Sequence, residues 1–295
     1  MAIPMSADAL AFHHVDVFTD RPYSGNSLAV FPAAEGLTGD AMQRITRELR
    51  HFESVFLSRD NAGELRARVF DLVEELDFAG HPLIGAAAVL HQVHAPHRES
   101  ATWTLALPGR SVRLTTERGG PRHYTSVLDQ GAARFGGRPD PRGLAELFGL
   151  APDDLDPDLP PEVVSTGLAY LIVPVRPGAL ARARVARHLE APLSRLGASY
   201  AYLLDVDALE GRHWSNDGLL EDVATGSGAG CAAAYLRLHG RLPDGVPAVL
   251  RQGRFTGRPS RLDITAYGRG HRVHSVRVGG GVAFVAEGRL HEAPR

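Results

Sequence analysis

The 295-residue sequence contains no lysine, so all 32 of its basic residues are arginine. A chain without lysine cannot hold pyridoxal phosphate as a Schiff base, act as a Schiff-base aldolase, or provide the phosphate-binding lysine of a P-loop. Its single cysteine, Cys231, excludes an internal disulfide, a four-thiolate metal site and a racemase that works with two opposed thiols. Two common routes for moving a proton beside a carboxylate, pyridoxal and paired thiols, are therefore closed.

Strong charge and long apolar runs are missing as well. The net charge is −2 and 44% of the residues are hydrophobic, which is unlike a nucleic-acid-binding protein or a disordered chain. No apolar run reaches the roughly 18 residues that a membrane span needs, and residues 1–5 show neither the charged nor the apolar region of a secretory signal. We expect a cytoplasmic globular protein with no membrane or nucleic-acid partner.

One segment of the chain occurs twice. Residues 79–90 (AGHPLIGAAAVL) and 225–236 (TGSGAGCAAAYL) lie 146 positions apart, almost half of the length. In both, a turn of small residues leads into an alanine-rich stretch that is apolar on nearly every face, which predicts a buried helix. Two alanine-rich helices in an alanine-rich chain would also match by coincidence. We favour two similar halves, each built around its own buried helix.

Short runs of β-branched and aromatic residues surround both segments and predict strands. These runs are residues 14–18, 27–31, 65–70 and 111–115 in the first half, and 168–173, 201–204, 262–265 and 273–278 in the second. Residues 40–49 predict a helix with Asp40 as its N-cap. A stretch rich in glycine and proline, residues 131–161, is the predicted connection between the halves, with a short helix near residues 144–148. The predicted fold class is α+β, with two similar domains, each a curled sheet around a buried helix.

The starts of the two buried helices are the first candidate binding sites. Unpaired backbone N–H groups and the positive end of the helix dipole attract an anion such as a phosphate, a sulfate or a carboxylate. His81 lies beside the first start, and Thr225 and Ser227 lie at the second. If a pseudo-twofold axis relates the halves, both starts face one cleft. Alternatively, Thr225 and Ser227 simply cap a structural helix.

Two carboxylates are candidates for proton transfer, which requires a positioned acid or base. Glu53 stands at the start of an apolar predicted strand, where partial burial beside Phe52 and Val55 would raise its pKa toward the useful range. Asp222 immediately precedes the second buried helix, where it can bind a substrate amine or hydroxyl. Alternatively, Glu53 is an ordinary acid at a strand edge and Asp222 only closes the loop before the helix.

Competing motifs fit less well. Residues 226–230 match neither a dinucleotide-binding loop nor a nucleophile elbow, because Cys231 and Thr225 stand where the two motifs need glycine. The three histidines of residues 91–97 share a helical spacing, but no fourth ligand is evident. The residues therefore predict neither a cofactor nor a metal site.

Five groups of residues follow one another from about position 12 to position 285. They are His14-Val15-Asp16-Val17-Phe18 with residues 23–30 (YSGNSLAV), Phe52-Glu53-Ser54, Phe78-Ala79-Gly80-His81-Pro82, residues 221–227 (EDVATGS), and Gln252-Gly253 with Gly257-Arg258-Pro259-Ser260. Each group is a weak signal alone. Together and in this order they resemble the phenazine-biosynthesis PhzF-like isomerase family.

The resemblance implies the diaminopimelate epimerase-like fold. This fold has two similar domains related by a pseudo-twofold axis, each a barrel-like, mostly antiparallel sheet around a central buried helix, with the active site in the cleft between them. The corresponding domains are residues 1–130 and 131–280, with about residues 281–295 returning to the first. Family members need no cofactor or metal and are often homodimers, and we expect the same here.

The resemblance also implies roles for individual residues. The family's catalytic glutamate falls on Glu53, and its active-site histidine, aspartate and serine fall on His81, Asp222 and Ser227. The predicted catalytic residues are Glu53, His81 and Asp222, and the predicted substrate-binding residues are Gly80, Thr225, Gly226, Ser227 and Gly228.

The chain departs from the family at Ser27 and Val223, where members commonly have proline beside the cleft, so the exact substrate does not transfer with the family. The related epimerases place two thiols at the helix starts, which correspond to Ala79 and Thr225 here. Cys231 lies about two turns inside the second predicted helix. A two-thiol racemase is therefore disfavoured on position as well as on count.

These residues predict a cofactor-independent isomerase that moves a proton by a 1,3 or 1,5 shift on a small unsaturated carboxylic or amino acid. The family's best-known activity is isomerisation of trans-2,3-dihydro-3-hydroxyanthranilate, which suggests a place in secondary-metabolite biosynthesis, such as that of an antibiotic. Two alternatives stay open. One is an epimerase of an amino acid such as a proline derivative, with Glu53 and Asp222 as the two acids. The other is a non-catalytic protein that binds a small carboxylate.

Overall fold

The computed structural model describes residues 9–292 and 294. As far as they are described, residues Met1–Leu128 and Gly279–Arg295 form one compact unit, called unit 1, and Asp129–Val278 form a second, called unit 2. The N-terminal residues on which the secretory-signal prediction rests lie outside the described part. That residues 1–130 and 131–280 are two domains of the same kind stays a prediction.

The chain contains short strands and few helices, in a mixed α+β fold. The strands are β1 (Leu10–Val17), β2 (Asn26–Phe31), β3 (Glu53–Arg59), β4 (Leu65–Asp71), β5 (Glu75–Leu76), β6 (Ser100–Leu107), β7 (Arg110–Gly120), β8 (His123–Gly131), β9 (Arg134–Phe135), β10 (Glu162–Ser165), β11 (Ala169–Val175), β12 (Tyr200–Asp205), β13 (Glu210–Arg212), β14 (Ala248–Gln252), β15 (Ser260–Arg269) and β16 (Arg272–Leu290). The helices are α1 (Gly39–Leu49), α2 (Gly80–His94), α3 (Leu144–Leu147), α4 (Glu190–Arg195) and α5 (Gly226–Leu238). All eight predicted runs and all four predicted helical segments fall on these elements.

Unit 1 is a closed barrel of eight strands. The strands follow the order β1-β2-β3-β4-β6-β7-β8-β16, and β1 pairs back onto β16, which closes the sheet. Helix α2 packs against β1, β2, β3 and β7, and every residue of Gly80–His91 is buried. An apolar helix with no polar face is stable only in such surroundings, because each large apolar side chain gains about 1.5–3 kcal/mol from burial.

Helix α1 covers the outside of the unit 1 sheet with an amphipathic face. Met42 and Ile45 pack into a cluster with Phe31, Phe56 and Phe70 from the strands. The predicted N-cap of this helix was wrong. The side chain of Thr38, not Asp40, accepts the capping hydrogen bond, from the N–H of Ala41 at 3.2 Å.

Unit 2 repeats the strand-pairing pattern of unit 1, in which the pairs β2–β3 and β4–β6 are parallel. Its strands follow the order β16-β15-β14-β13-β12-β11-β10-β9, and the pairs β11–β12 and β13–β14 are parallel. The N–H of Ala133, just before β9, donates to the carbonyl of Val273 in β16 at 3.0 Å. Helix α5 packs against β10, β11, β12 and β15 and is buried over Gly226–Leu236. No helix of the described residues is long and apolar enough to cross a membrane.

Candidate active site

Glu53 and His81, two of the predicted catalytic residues, are in contact in unit 1. Glu53 is the first residue of β3 and His81 is the second residue of α2. The Oε2 atom of Glu53 lies 3.3 Å from Nδ1 of His81, and the two residues are only 8% and 4% exposed. Either atom of such a pair can carry the proton between them, so the contact has the composition that general acid–base catalysis needs.

Strand pairing brings this pair together. β2 and β3 run parallel, with Leu28 opposite Glu53, and α2 packs against both strands. Gly80 begins α2, and the preceding Ala79 has no side-chain group to cap the first turn. The first turn of a buried helix therefore lies beside the start of β3, where the carboxylate is.

Asn26 is a further member of this group, which the sequence did not mark as a site residue. Its Nδ2 lies 3.4 Å from Nδ1 of His81. An Asn26 N–H donor requires Nδ1 to accept, whereas an ionised Glu53 requires Nδ1 to donate, so the orientation of the amide and the position of the proton are linked. We call Glu53, His81, Gly80 and Asn26 the Glu53 cluster.

Gly25 sets the entry of the chain into β2 and thereby the position of Asn26. Its φ is +65°, in the left-handed region that favours glycine. A Cβ atom there would lie 2.3 Å from the carbonyl oxygen of Val17. Only glycine fits at position 25, which explains why a glycine precedes Asn26.

Ser27 contacts two histidines. Its side chain lies on the face of β2 opposite that of Asn26. Its Oγ lies 2.8 Å from Nε2 of His14 and 3.0 Å from Nδ1 of His51, and Asp16 lies 3.9 Å from His14. Burial lowers the pKa of His51 to about 4, and repulsion from His14 adds to that effect. Ser27, which makes these contacts, stands where the PhzF-like family commonly has proline, which has no hydroxyl.

Asp222 and Thr225 are in contact in unit 2. The hydroxyl of Thr225 donates to Oδ2 of Asp222 at 2.7 Å, and the N–H of Ala224 approaches Oδ1 at 3.4 Å. Asp222 thus holds the loop that leads into α5. Thr225 occupies the N-cap position, but its side chain does not cap the first turn, so the alternative that it merely caps a structural helix is wrong.

Gln252 holds the same loop from β14, and the sequence did not identify it as a site residue either. Its Oε1 accepts from the N–H of Thr225 at 3.1 Å and from the hydroxyl of Tyr202 at 2.9 Å. Its Nε2 donates to the carbonyl of Asp222 and to the hydroxyl of Thr225, both at 2.9 Å. One buried amide therefore fixes the backbone from Asp222 to Thr225.

Gly226, Ser227 and Gly228 form the first turn of α5. The first helical hydrogen bond runs from the N–H of Ala229 to the carbonyl of Thr225, so the three preceding N–H groups have no partner within the helix. The hydroxyls of Ser227 and Tyr170 lie 2.8 Å apart. Burial raises the pKa of Tyr170 well above its ordinary value, which keeps that hydroxyl protonated.

Two more aromatic residues complete this group. The ring of His213 lies 5.5 Å from the rings of both Tyr170 and Tyr200, edge to face in each case. No motif in the sequence marks them, because they come from separate strands that meet only in the folded sheet. We call this group the Asp222 cluster. It comprises Asp222, Thr225, Gln252, the first turn of α5, and the aromatic residues Tyr170, Tyr200 and His213.

Cys231 lies within α5 and is fully buried. Its Sγ lies 3.6 Å from the carbonyl of Leu168, and burial raises its pKa to about 11. A thiol that stays protonated is a poor nucleophile and a poor base. The positions at which related epimerases hold thiols, Ala79 and Thr225, are the N-cap residues of α2 and α5.

The histidines of residues 91–97 do not form a metal site. His91 is buried, with Nδ1 2.7 Å from the hydroxyl of Thr116 and Nε2 3.0 Å from the carbonyl of Arg98. Across residues 9–292 and 294, no group of three or more histidine, cysteine, aspartate or glutamate side chains is arranged to hold a metal ion.

The structure thus brings the predicted residues together in two groups. Glu53, His81 and Gly80 lie in the Glu53 cluster of unit 1, and Asp222, Thr225, Gly226, Ser227 and Gly228 lie in the Asp222 cluster of unit 2. The first group contains an acid–base pair. The second contains a held carboxylate and the N–H groups of a helix start.

Comparison with known proteins gives a consistent family. The model of the family described as phenazine biosynthesis-like protein (PhzC-PhzF) matches residues 15–288. A trans-2,3-dihydro-3-hydroxyanthranilate isomerase of Pseudomonas aeruginosa is 33% identical over 293 residues, which is 94% of this chain and 98% of that protein.

Solved structures extend the comparison. A predicted epimerase from Pseudomonas aeruginosa is 50% identical with a TM-score of 0.89, over 95% of this chain and 99% of that one. A hydroxyproline epimerase from Agrobacterium vitis has a TM-score of 0.65 at 15% identity, over 97% of this chain and 94% of that one. The second likeness shows a shared fold alone.

Proposed function

Since this chain belongs to the phenazine-biosynthesis PhzF-like family and is an isomerase, we propose that it moves a proton along the conjugated system of a small unsaturated carboxylic or amino acid. The shift is a 1,3 or 1,5 shift and uses no bound cofactor. The observation that carries the proposal is the buried contact between Glu53 and His81, at 3.3 Å. It supplies one base and one neighbouring group that stabilises either charge state of that base.

Glu53 carries the proton in this mechanism. Its carboxylate takes a proton from an activated allylic carbon, the electron pair of that C–H bond enters the conjugated system, and the same proton returns to another carbon. The carboxyl group is ionised at the start and at the end of the cycle, so the reaction needs no oxidant, reductant or co-reactant. His81 and Asp222 hold polar substituents of the substrate, and an N–H of His81 stabilises the negative charge that spreads over the conjugated system.

The start of α5 holds the substrate carboxylate. The N–H groups of Gly226, Ser227 and Gly228 have no partner within the helix, and the positive end of the helix dipole favours a negative charge beside them. No acidic residue lies in the first turn of α5, so no side chain of that turn competes for this position.

The proposal draws on residues of both clusters. The repeat at a separation of 146 residues supports the use of both helix starts, because the two buried helices begin with corresponding segments. The proposal includes the finer architecture implied by the family: two domains related by a pseudo-twofold axis, and a homodimer in the cytoplasm that serves a secondary-metabolite pathway. Sedimentation of the purified protein tests the dimer, and the genes next to its own test the pathway.

The decisive experiment measures turnover and hydrogen exchange together. trans-2,3-Dihydro-3-hydroxyanthranilate, named for a relative 33% identical, is the first test substrate. We expect conversion with little deuterium incorporated from D₂O, because one shielded acid returns the proton that it took. Activity should survive extensive dialysis against a chelator.

The variant Glu53→Gln keeps the shape of the side chain and removes the base. We expect kcat to fall by at least about a thousandfold. Glu48→Gln, on the exposed face of α1, is the matched control and should leave kcat unchanged. If Glu53→Gln stays within about tenfold of the unmodified enzyme, the assignment of Glu53 as proton carrier is wrong.

An epimerase is the second candidate. The observation that favours it is the likeness to the predicted epimerase from Pseudomonas aeruginosa, which is 50% identical. An epimerase with two acids would exchange the α-hydrogen of an amino acid such as a proline derivative fully with D₂O. Complete incorporation of deuterium from D₂O at the α-carbon, together with inversion there, would favour an epimerase over an isomerase that uses a single acid.

A further inference from the structure

His213 is a buried histidine that the proposed mechanism does not use. It directly follows β13 and is 8% exposed. The rings of Tyr170 and Tyr200 contact it edge to face, with ring centres 5.5 Å away in each case. These contacts fix the plane of the imidazole ring, and with it the direction of both ring nitrogens.

The hydrogen bond at Nδ1 determines the tautomer of His213. Nδ1 lies 2.9 Å from the carbonyl oxygen of Ala201. A carbonyl oxygen only accepts, so Nδ1 carries the proton, and a neutral ring presents a lone pair at Nε2. Burial lowers the pKa of His213, which keeps the ring neutral near pH 7.

Nε2 has no hydrogen-bond partner among the residues that the structure describes. Nε2 is not one of the fully buried side-chain atoms that lack a partner, so water can reach it in the free protein. A ligand that covers Nε2 displaces that water, and the acceptor keeps a hydrogen bond only if the ligand donates one. A bound ligand with a hydroxyl or amino hydrogen is such a donor.

His213 belongs to the cluster that receives the substrate. Its backbone carbonyl accepts a hydrogen bond from the N–H of Asp222 at 3.0 Å, and its neighbour Tyr170 lies 2.8 Å from the hydroxyl of Ser227. The carboxylate of Asp222 already accepts from the hydroxyl of Thr225. His213 therefore adds an acceptor to a site whose main carboxylate is partly committed to its own loop.

We propose that His213 is a specificity-determining residue, whose Nε2 accepts a hydrogen bond from a hydroxyl or amino group of the substrate. The site then selects carboxylic acids that carry such a donor over analogues that lack it, since a bound analogue displaces water from Nε2 and leaves the acceptor unpaired. This inference rests on the proposed function, which places the substrate carboxylate at the start of α5.

Two substitutions separate the binding role of His213 from a structural one. In His213→Asn the amide nitrogen replaces Nδ1 and can still donate to Ala201, but nothing replaces Nε2. In His213→Gln the longer side chain puts an amide oxygen near the position of Nε2 and gives up the donor near Ala201. The first variant removes the proposed contact, and the second restores an acceptor.

The probes are three aromatic carboxylates whose binding is measured by calorimetry: benzoate, 2-aminobenzoate and 3-hydroxybenzoate. We expect the unmodified protein to bind at least one of the donor-bearing probes about tenfold more tightly than benzoate, as one hydrogen bond allows. His213→Asn should lose this preference, to within about twofold, with unchanged affinity for benzoate. His213→Gln should recover part of it.

The pH dependence of the preference provides a readout that a structural role would not move. A proton on Nε2 turns the acceptor into a donor, so the preference should be lost as the pH falls through the pKa of His213, which lies below 6.5. The titratable groups that face the ring are Asp222, Tyr170 and Tyr200, and they are the same in His213→Asn. That variant should show no such pH-dependent change in preference.

The proposal would be overturned if the unmodified protein bound none of the probes or showed no preference among them. It would also be overturned if His213→Asn kept the preference, or if that variant lost affinity equally for all three probes. Binding does not depend on turnover, so failure of the proposed function is detected separately. If Glu53→Gln were fully active but His213→Asn abolished the preference, the proton carrier would be wrong and the role of His213 would stand.

Discussion

The starts of α2 and α5 are alike in backbone and different in chemistry. Each helix follows an N-cap residue, Ala79 or Thr225, whose side chain does not bond to the first turn, and each begins with glycine. Beside α2 lie two groups that change protonation state, Glu53 and His81. Beside α5 lie the Asp222 carboxylate, which accepts from Thr225, and an amide with both polar atoms bonded. The difference indicates that one helix start is suited to moving a proton and the other to holding a ligand in place.

The first prediction separates these two roles by kinetics. We expect His81→Gln to lower kcat by about a hundredfold or more with little change in KM, because it disturbs the acid–base pair. We expect Ser227→Ala to raise KM about fivefold with kcat within about threefold, because it removes a polar contact at the binding turn. Steady-state kinetics with the first substrate that is turned over measures both.

The opposite pattern would break the comparison. A fall in kcat for Ser227→Ala that matches the one for His81→Gln would mean that the start of α5 takes part in the chemical step. Circular dichroism of each variant is the control, since both residues are buried.

The second prediction compares how tightly the two helices are packed. A Cβ at Gly230 in α5 would lie 1.9 Å from Oε1 of Gln130, whose amide also donates to the carbonyl of Gly226 at 2.9 Å. A Cβ at Gly85 in α2 would lie 2.5 Å from a terminal methyl of Leu28, which can rotate away. We expect Gly230→Ala to cost about 3 kcal/mol of unfolding free energy, and Gly85→Ala about 1 kcal/mol or less.

The two tryptophans make this measurement specific to each unit. Trp103 lies in unit 1 and Trp214 in unit 2, so Trp214→Phe and Trp103→Phe give parent chains that report one unit each by fluorescence in a urea titration. Coincident transitions for both probes in every variant would show that the units unfold together and are not independent domains. Equal costs for the two glycine substitutions would contradict the predicted difference in packing.

The third and smallest effect concerns acid stability in unit 1. Because the pKa of His51 is lowered to about 4 in the folded chain, the unfolded chain binds the extra proton first as the pH falls below about 6.5. His51 therefore does not reduce the free energy of unfolding at neutral pH, and it reduces that free energy progressively as the pH falls from about 6.5 to 4. Since the ring is partly in contact with water, we expect His51→Gln to reduce the loss of stability over that range by about 1 kcal/mol.

The control for this measurement is His97→Gln, which changes an exposed histidine. It should leave the dependence of the unfolding free energy on pH unchanged. If His51→Gln behaves like His97→Gln, the surroundings of His51 do not hold that ring neutral.

The sequence was a good guide where a local pattern decides the structure. The repeated segments begin α2 and α5 at Gly80 and Gly226, 146 residues apart, because glycine followed by small apolar residues specifies a buried helix start. The strand that carries Glu53 begins at that residue. The N-cap of α1 was misassigned because Thr38 and Asp40 are both good caps, and a shift of two residues is below the resolution of propensities.

The sequence was a poor guide where partners come from distant strands. Asn26 meets His81, and Tyr170 meets Ser227, across 55 and 57 residues respectively. These contacts depend on the packing of α2 against β2 and of α5 against β11, which local patterns do not encode. His213 was missed for the same reason: its role depends on a carbonyl of another strand that fixes the proton on Nδ1.

The buried, protonated Cys231 gives the chain an unusual practical property. Burial and a pKa of about 11 make its thiol slow to react with maleimides, and the absence of lysine removes side-chain amines from competition. A cysteine introduced on the surface would be the one readily labelled side chain. A single dye on one such cysteine, placed beside the start of α5, would report ligand binding there by its fluorescence, with no need to replace Cys231.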